Sequence, residues 1–157
     1  MNIVVDKIIE VLRENLGQAR GIKRFFLGEP IELAQSDLPC IFVQVLNKRI
    51  EQLDNVNDLI TAEILVGICV DIDKYIAREV NEGAGERFLL EIEGGRNTNG
   101  TPITTSVTYV MRNNFTLENT VVHQESNTVW GEREVTGGVA REVHLYFTVK
   151  VKIKNKS

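Results

Sequence analysis

Two unusually long runs of alternating apolar residues, 60–72 and 139–153, constrain the fold of this chain most strongly. The apolar positions are Ile60, Ala62, Ile64, Val66, Ile68, Val70 and Ile72 in the first run, and Val143, Leu145, Phe147, Val149, Val151 and Ile153 in the second. Because successive side chains of a strand point to opposite faces, each run predicts a β-strand with one buried face. At roughly 3.3 Å per residue such strands span about 40 to 50 Å, whereas ordinary strands have about 5 to 6 residues.

Strands of this length are too long for the core of one small domain. Either the sheet closes on itself, or the strand ends project and are covered by another subunit, because uncovered strands invite pairing. The 157 residues otherwise fit a single domain, 1–157, with enough chain to bury a real core. The two runs therefore predict architecture and assembly, but they do not indicate an activity.

The other patterns predict an α+β fold. We expect an amphipathic helix at 2–16, which Asn2 caps and Gly17 ends. A strand at 40–50 should form a hairpin with the first long run. Further along the chain we expect a helix that is broken at Gly83–Gly85, a flexible loop at 94–102 and a strand at 103–111. The polar segment 115–136 fits short strands and an irregular excursion equally well. Together these elements predict a mostly antiparallel twisted sheet with two long strands, flanked by helices on one face.

The composition narrows the possible functions. Lys and Arg number 18 against 22 acidic residues, a net charge of −4, so no global positive field draws the chain onto nucleic acid. The N-terminus is too interrupted by charge for a signal peptide, and about 18 consecutive apolar residues, as a membrane span needs, occur nowhere. We therefore expect a chain made in the cytoplasm without membrane contact, in which Cys40 and Cys69 are buried free thiols.

Motifs of catalysis and metal binding are missing from the sequence. Neither His123 nor His144 has the spacing to Cys, His or carboxylates that a zinc site needs. Asp71 and Asp73 could share a hard cation, but too few further oxygen ligands lie nearby, and we expect them to mark a strand end. No Ser or Cys has a neighbouring His to activate it, and no phosphate-binding loop occurs. The sequence therefore predicts no catalytic residue, no cofactor and no metal.

A basic stripe on the last strand is the first candidate contact surface. Lys150, Lys152 and Lys154 alternate along the outer face of this strand. If the strand lies at the edge of the sheet, the lysines keep it from pairing indiscriminately. Alternatively, the stripe contacts an acidic surface of a partner. The sequence leaves both interpretations open.

Further candidates lie outside the long strands. Arg20, Lys23 and Arg24 form a basic cluster in the glycine-rich connection after the first helix. Trp130 is the only tryptophan and lies in a polar segment, where it either anchors a subunit interface or fills a small apolar cluster.

The order of elements resembles the tail terminator, or tail completion, proteins of long-tailed bacteriophages. The resemblance consists of an amphipathic N-terminal helix, a variable loop, the strand entry DLPCIFVQV with its Leu38-Pro39 pair, a long alternating strand, a helix, and a long last strand ending in lysines. It covers most of the chain as a pattern, and the Leu38-Pro39 entry is its local motif. The longer polar segment 115–136 departs from the pattern and leaves another neck or head-tail connector component as an alternative.

The resemblance implies a structural virion protein without catalytic residues. Such proteins form a ring of six subunits that caps the tail tube in the virion, joins it to the neck and head connector, and lets DNA pass without specific binding. Loops would meet the neighbouring rings, and Arg96 and Asn97 of the loop 94–102 join the candidate contact residues. A second class of function is a small-ligand-binding or enzymatic α+β domain. That class needs polar groups converging on the apolar strand faces, where Arg141 stands alone.

Overall fold

The computed structural model of the protein describes residues 2–72, 86–114 and 120–154. The chain begins with helix α1, Asn2–Leu12, which continues through a π-helical turn, Arg13–Gly17, into a short helix, Gln18–Arg20. The apolar stripe expected of an amphipathic helix is confirmed: Val5, Ile8, Leu12 and Leu16 are buried, and Ile9 packs partly buried against the same core.

The end of this helical segment differs from the prediction. Gly17 lies inside it, and Gly21 ends it with a left-handed backbone (φ 66°). The N–H of Gly21 donates to the carbonyl of Gln18 (3.3 Å), and the N–H of Ile22 donates to the carbonyl of Gly17 (2.8 Å), as in a Schellman cap. A glycine inside a helix costs only about 1 kcal/mol, whereas the left-handed cap position favours a residue without a β-carbon.

One mixed, mostly antiparallel sheet forms the body of the molecule. Its strands are β1 (Arg24–Leu27), β2 (Cys40–Gln52), β3 (Asn57–Asp71), β4 (Thr120–Gln124), β5 (Val129–Val135) and β6 (Gly138–Lys154). Their spatial order is β1-β2-β3-β6-β4, and β5 also pairs with β6. Only β1 and β2 are parallel among the described pairs. Since β1 and β4 end this order, the described strands form an open sheet and do not close on themselves.

Helices cover one face of the sheet, which we call the helix face. Helix α2 is Glu86–Gly94 and helix α3 is Val107–Asn113. Helix α1 packs against β1, β2 and α3, while α2 packs against β3, β6 and α3. Their buried residues form one core with the apolar positions of the long strands. The predicted fold class, an α+β domain with helices on one face of a mostly antiparallel sheet, is therefore confirmed.

Both long alternating runs are strands, as predicted. Strand β3 begins before the predicted Ile60 and ends at Asp71, so Ile72 lies just outside it. Its helix-face positions from Ile60 to Val70 are buried, as are those of β6 from Val143 to Val151. The core therefore extends along most of both strands. The excess length predicted for these strands lies instead in β2, where residues 46–52 are exposed.

The opposite face of the sheet, which we call the second face, carries a smaller core at one end. The connection between β1 and β2 crosses this face and buries Leu33 and Leu38 against Cys40, Phe42, Leu65, Cys69 and Ala140. The two phenylalanines of β1 point to opposite sides, Phe25 to the main core and Phe26 to the smaller one. This connection is ordered, and it leaves the rest of the second face uncovered by described residues.

The strand predicted at 103–111 is wrong, because helix α3 occupies residues from Val107 onward. Val107, Val110 and Met111 are buried in the main core. Their spacing fits one face of a helix, whereas in a strand Val110 would point away from the other two. The Ser106 side chain accepts a hydrogen bond from the Tyr109 N–H (3.2 Å) and caps the helix. The predicted break at Gly83–Gly85 lies outside the described residues.

The polar segment that the sequence left open contains two short strands, β4 and β5. Both pair with β6, β4 along Phe147–Val151 and β5 along Gly138–His144. A tight turn at Gly137 joins β5 to β6, and Gly137 has a φ of 94°. Residues 115–119 of the segment lie outside the described part of the chain.

Candidate functional site

The outer edge of β2 is open beyond the end of β1 in the described chain. Strand β1 covers β2 only as far as Val43, the partner of Leu27, and beyond it residues 44–52 have no strand partner on that side in the described chain. Leu46 is 47% exposed and Ile50 is 53% exposed. Open backbone N–H and C=O groups beside apolar side chains form a surface that another strand can join.

Two local features hold this part of β2 in place. The pairing with β3 shifts register between Val45 and Asn47, so Leu46 is a bulge residue. At the hairpin turn, Asp54 Oδ1 accepts hydrogen bonds from the N–H groups of Val56 and Asn57, both at 2.8 Å. Hydrogen bonds from the Asn57 side chain and the Val56 backbone lower the pKa of Asp54 below its ordinary value. The edge is therefore part of an ordered hairpin.

The lysine stripe lies on the second face, and within the described chain only Lys150 has strands on both sides. Lys150, Lys152 and Lys154 pair with Thr61, Leu59 and Asn57 of β3, and Lys150 also pairs with Val121 of β4. All three lysines are exposed. The interpretation that the lysines keep a sheet edge from pairing is therefore wrong for Lys150, because strands lie on both sides of this residue. The three lysines form an exposed basic surface next to the uncovered part of the second face.

The basic cluster after α1 does not join the stripe. The Arg20 guanidinium donates to the carbonyl of Thr105 (2.9 Å) and lies 3.4 Å from a carboxylate oxygen of Glu91, so it ties α1 to the segment before α3 and to α2. Arg24 pairs with Cys40 in the sheet, at the level of Glu142 of β6. At about 3.4 Å per residue, that level lies roughly 27 Å from Lys150 along β6.

The other residues of this cluster are more exposed than Arg20. Arg24 lies 3.5 Å from the Asp37 carboxylate and stacks over the Phe26 ring at 5.9 Å. Lys23 is exposed, and its N–H donates to the carbonyl of Pro39. Lys23 thus keeps a free ammonium group at the start of β1 among the described residues.

The loop 94–102 presents the remaining predicted contact residues. The Arg96 side chain donates to the carbonyl of Gly100 (2.8 Å). The N–H of Asn97 donates to the carbonyl of Thr101 (2.8 Å), and its carbonyl accepts from Gly100. Both side chains are exposed. The loop is therefore a hydrogen-bonded turn, and a groove of about 370 Å³ separates it from α3.

Trp130 lies on β5 and is half-buried against the main core. Its indole N–H donates to Thr128 Oγ1 (3.1 Å), and the Arg141 guanidinium lies 5.6 Å from its ring centre. Arg141 also donates to the carbonyl of Gly131 (3.2 Å). Both residues therefore stabilise the packing of β5 on β6, while the exposed part of the Trp130 ring stays available beside the outer edge of β5.

A polar cluster on the second face escaped the sequence analysis. Glu142 accepts hydrogen bonds from Arg133 Nε (2.9 Å) and from the Cys69 thiol (3.3 Å), and its other oxygen lies 3.5 Å from His144 Nε2. Arg133 also pairs with Glu29. The two-residue spacing of Glu142 and His144 places them on one face of β6, but only the register of β3 and β5 shows their partners.

The charges of this cluster compensate each other. Burial favours a higher pKa for Glu142, but the contacts with His144, Arg133 and Cys69 outweigh it and hold the pKa at about 2. The hydrogen bond with Cys40, burial and the nearby Glu142 charge raise the pKa of the Cys69 thiol. A protonated, buried thiol is a poor nucleophile. The cluster therefore stabilises the fold through charge-assisted hydrogen bonds.

A groove of about 340 Å³ lies on the second face between the polar cluster and the lysine stripe. Leu46, Val129 and Tyr146 contribute apolar surface to it, and Glu63 and Glu125 line it as well. The groove is open and shallow, without a buried polar side chain of the kind that orients a small ligand.

No model of a known protein family and no curated protein matches this chain. In the described ranges, no helix is long and apolar enough to span a membrane. Among the same residues, no group of three His, Cys, Asp or Glu side chains is placed to hold a metal ion. Asp73, one of the two aspartates considered above, lies outside the described residues.

Proposed function

We propose that this protein is a structural virion protein, a tail terminator whose subunits form a ring, of six copies, on the end of a phage tail tube. The observation that carries the proposal is the outer edge of β2. Residues 44–52 lack a strand partner on that side in the described chain, and Leu46 and Ile50 stay exposed there. An ordered strand edge with apolar side chains is suited to joining another polypeptide.

The element order supports the same proposal. The N-terminal helix, the Leu38-Pro39 strand entry, the long alternating strands and the lysine-rich end resemble the tail terminator proteins. In the proposed ring, each subunit contacts two copies of itself through different surfaces, and the ring closes without a free edge. The tail tube lies on one side of the ring, the neck and head connector lie on the other, and the virion assembles in the host cytoplasm.

The lysine stripe and the loop with Arg96 and Asn97 are the surfaces we assign to neighbouring rings. Both are exposed, and neither is needed for the main core. DNA passes through the channel without specific binding. The net charge of −4 agrees with weak DNA contact, because affinity for nucleic acid rises with the number of phosphates that a protein neutralises.

Purified protein and purified tail tubes test this function directly. Light scattering after size-exclusion chromatography should give a ring mass, and negative-stain images should show rings. Tubes incubated with the protein should carry a ring at one end and stop elongating when tube subunits are added. A protein that stays monomeric and leaves tube growth unchanged contradicts the proposal.

A head-tail connector component is the second candidate. The length of the polar segment 115–136, which forms β4 and β5, favours it, because this segment exceeds what the terminator pattern needs. The same images separate the two candidates: a terminator binds bare tube ends, whereas a connector component binds only the head side of a finished neck.

A further inference from the structure

The outer edges of β2 and β5 carry opposite net charges. On the outer edge of β2, the exposed charged residues are Lys48, Arg49 and Glu51, two basic against one acidic, and none of them forms an ion pair within the described residues. On the outer edge of β5, Glu132 and Glu134 are exposed and equally unpaired there. The connection between β1 and β2 pairs with Thr136, just past the end of β5, and the edge before it has no strand partner within the described residues. Strand β4, at the same side of the sheet as β5, has His123 as its only titratable residue.

The strand directions allow these two edges to meet. Strands β2 and β6 are both antiparallel to β3, so they run the same way, and β5 runs against β6. Strand β5 is therefore antiparallel to β2. When two copies lie with their helix faces on the same side, β2 of one copy can meet β5 of the next in antiparallel orientation. Lys48 lies at the level of Val149 of β6 and Glu132 at the level of Arg141, so the contact offsets the two copies by roughly 27 Å along the strands. Such a contact uses two different surfaces, and it closes into a ring when the rotation between neighbouring copies fits a closed circle.

The side chains match in one register. Lys48 and Ile50 point to the helix face, since they pair with the buried Ala62 and Ile60. Glu132 lies on the same face as Trp130, which packs into the main core. An antiparallel register that places Lys48 opposite Glu132 also places Ile50 opposite Trp130. Opposite-charge pairs and aromatic pairs with β-branched residues are both favourable across strands.

We propose that β2 of one copy adds to β5 of the next copy as an antiparallel strand, with Lys48 opposite Glu132 and Ile50 opposite Trp130. The partner is a second copy of this chain. Backbone hydrogen bonds supply the attachment, and the charges select β5 over the uncharged edge of β4. This inference rests on the proposed function, because it names the contact between neighbouring subunits of the ring.

Two reciprocal charge reversals test the contact. The variant K48E/R49E has an acidic β2 edge facing an acidic β5 edge, and E132K/E134K has two basic edges. Each variant alone should associate at least tenfold more weakly than the wild type in light scattering and sedimentation. An equimolar mixture should reassociate, because the acidic β2 edge of one variant then meets the basic β5 edge of the other, and the two wild-type edges also match.

The control is K150E/K152E, which makes the same change of charge on the second face and should self-associate like the wild type. Circular dichroism and thermal unfolding check that every variant folds. If E132K/E134K assembles like the wild type, the β5 assignment is wrong. Unchanged assembly of E132K/E134K would mean that two β2 edges pair with each other, with Arg49 opposite Glu51, or that β2 pairs with β4. A mixture of folded variants that fails to reassociate also overturns the proposal.

The outcomes separate this contact from the proposed function. A wild type that forms rings but tolerates both charge reversals contradicts only the edge assignment. A wild type that stays monomeric at every concentration and on tube ends contradicts the edge contact and the ring together.

Discussion

Gly67 shows how a single residue shapes the second face. It lies between Phe42 and His144 in the sheet, and a β-carbon added to it would overlap the Phe42 ring. That ring packs edge-on against His144, with ring centres 5.6 Å apart. Strand interiors rarely favour glycine, so this glycine is explained by the ring that occupies the space of its missing side chain.

Replacing Gly67 with alanine should therefore destabilise the protein. Because Phe42 is fully buried and cannot move aside freely, we expect a loss of about 3 kcal/mol in the free energy of unfolding, the upper range for overpacking. Urea unfolding followed by circular dichroism measures it. Gly131→Ala is the matched control, since a β-carbon at this strand glycine meets open space. Equal losses for both variants would refute the steric explanation.

Glu142 should make stability depend on pH in the acid range. Its pKa falls from an ordinary 4.5 to about 2 in the folded protein, so its contribution is present above pH 4.5 and is lost as the pH falls towards 2. Glu142→Gln should reduce stability at pH 7 by about 1.5–3 kcal/mol, the range for charged hydrogen bonds. It should also flatten the decline between pH 4.5 and 2. Glu32→Gln, at an exposed position outside the proposed subunit contact, should change neither the stability nor its slope.

Among the elements, predictability follows the strength of the periodic signal. The runs in β3 and β6 alternate for so long that no helix fits them, and the stripe of α1 fits no strand. Helix α3 was misassigned because Val107 and Met111 suit both periods over a short stretch, whereas only Val110 fits the helix alone. The decisive difference is the hydrogen bond from the Tyr109 N–H to Ser106. Strand β1 is too short to give any periodic signal.

The cap of α3 gives a test at this scale. Ser106→Ala removes the acceptor of the Tyr109 N–H in a buried position and should lower the free energy of unfolding by about 1 kcal/mol. Chemical denaturation quantifies the loss. Thr104→Ala, two residues earlier in the exposed turn, should leave stability within about 0.5 kcal/mol of the wild type. If Ser106→Ala leaves the free energy of unfolding unchanged, packing alone holds α3.

In the whole molecule, the sequence indicated the candidate contact residues but not how they are grouped. Alternation along β6 placed the three lysines on one face, and the structure agrees. By contrast, the pairing of Arg20 with Glu91 spans 71 positions of the chain, and the open edge of β2 depends on where β1 stops. Both features depend on contacts distant in sequence, which local periodicity does not contain.

The lysine stripe should act in attachment to a neighbouring protein and not in self-association. We expect K150E/K152E to form rings normally but to cosediment with purified tail tubes or connectors at least tenfold less than the wild type, because like charges then face an acidic partner surface. Wild-type binding should weaken as NaCl rises above about 0.1 M, where the screening length falls below about 10 Å.

The variant K7E/R112E makes the same change of charge away from the stripe and should bind normally. If both variants bind alike at every salt concentration, attachment depends on another surface, and the exposed turn with Arg96 and Asn97 becomes the next segment to change.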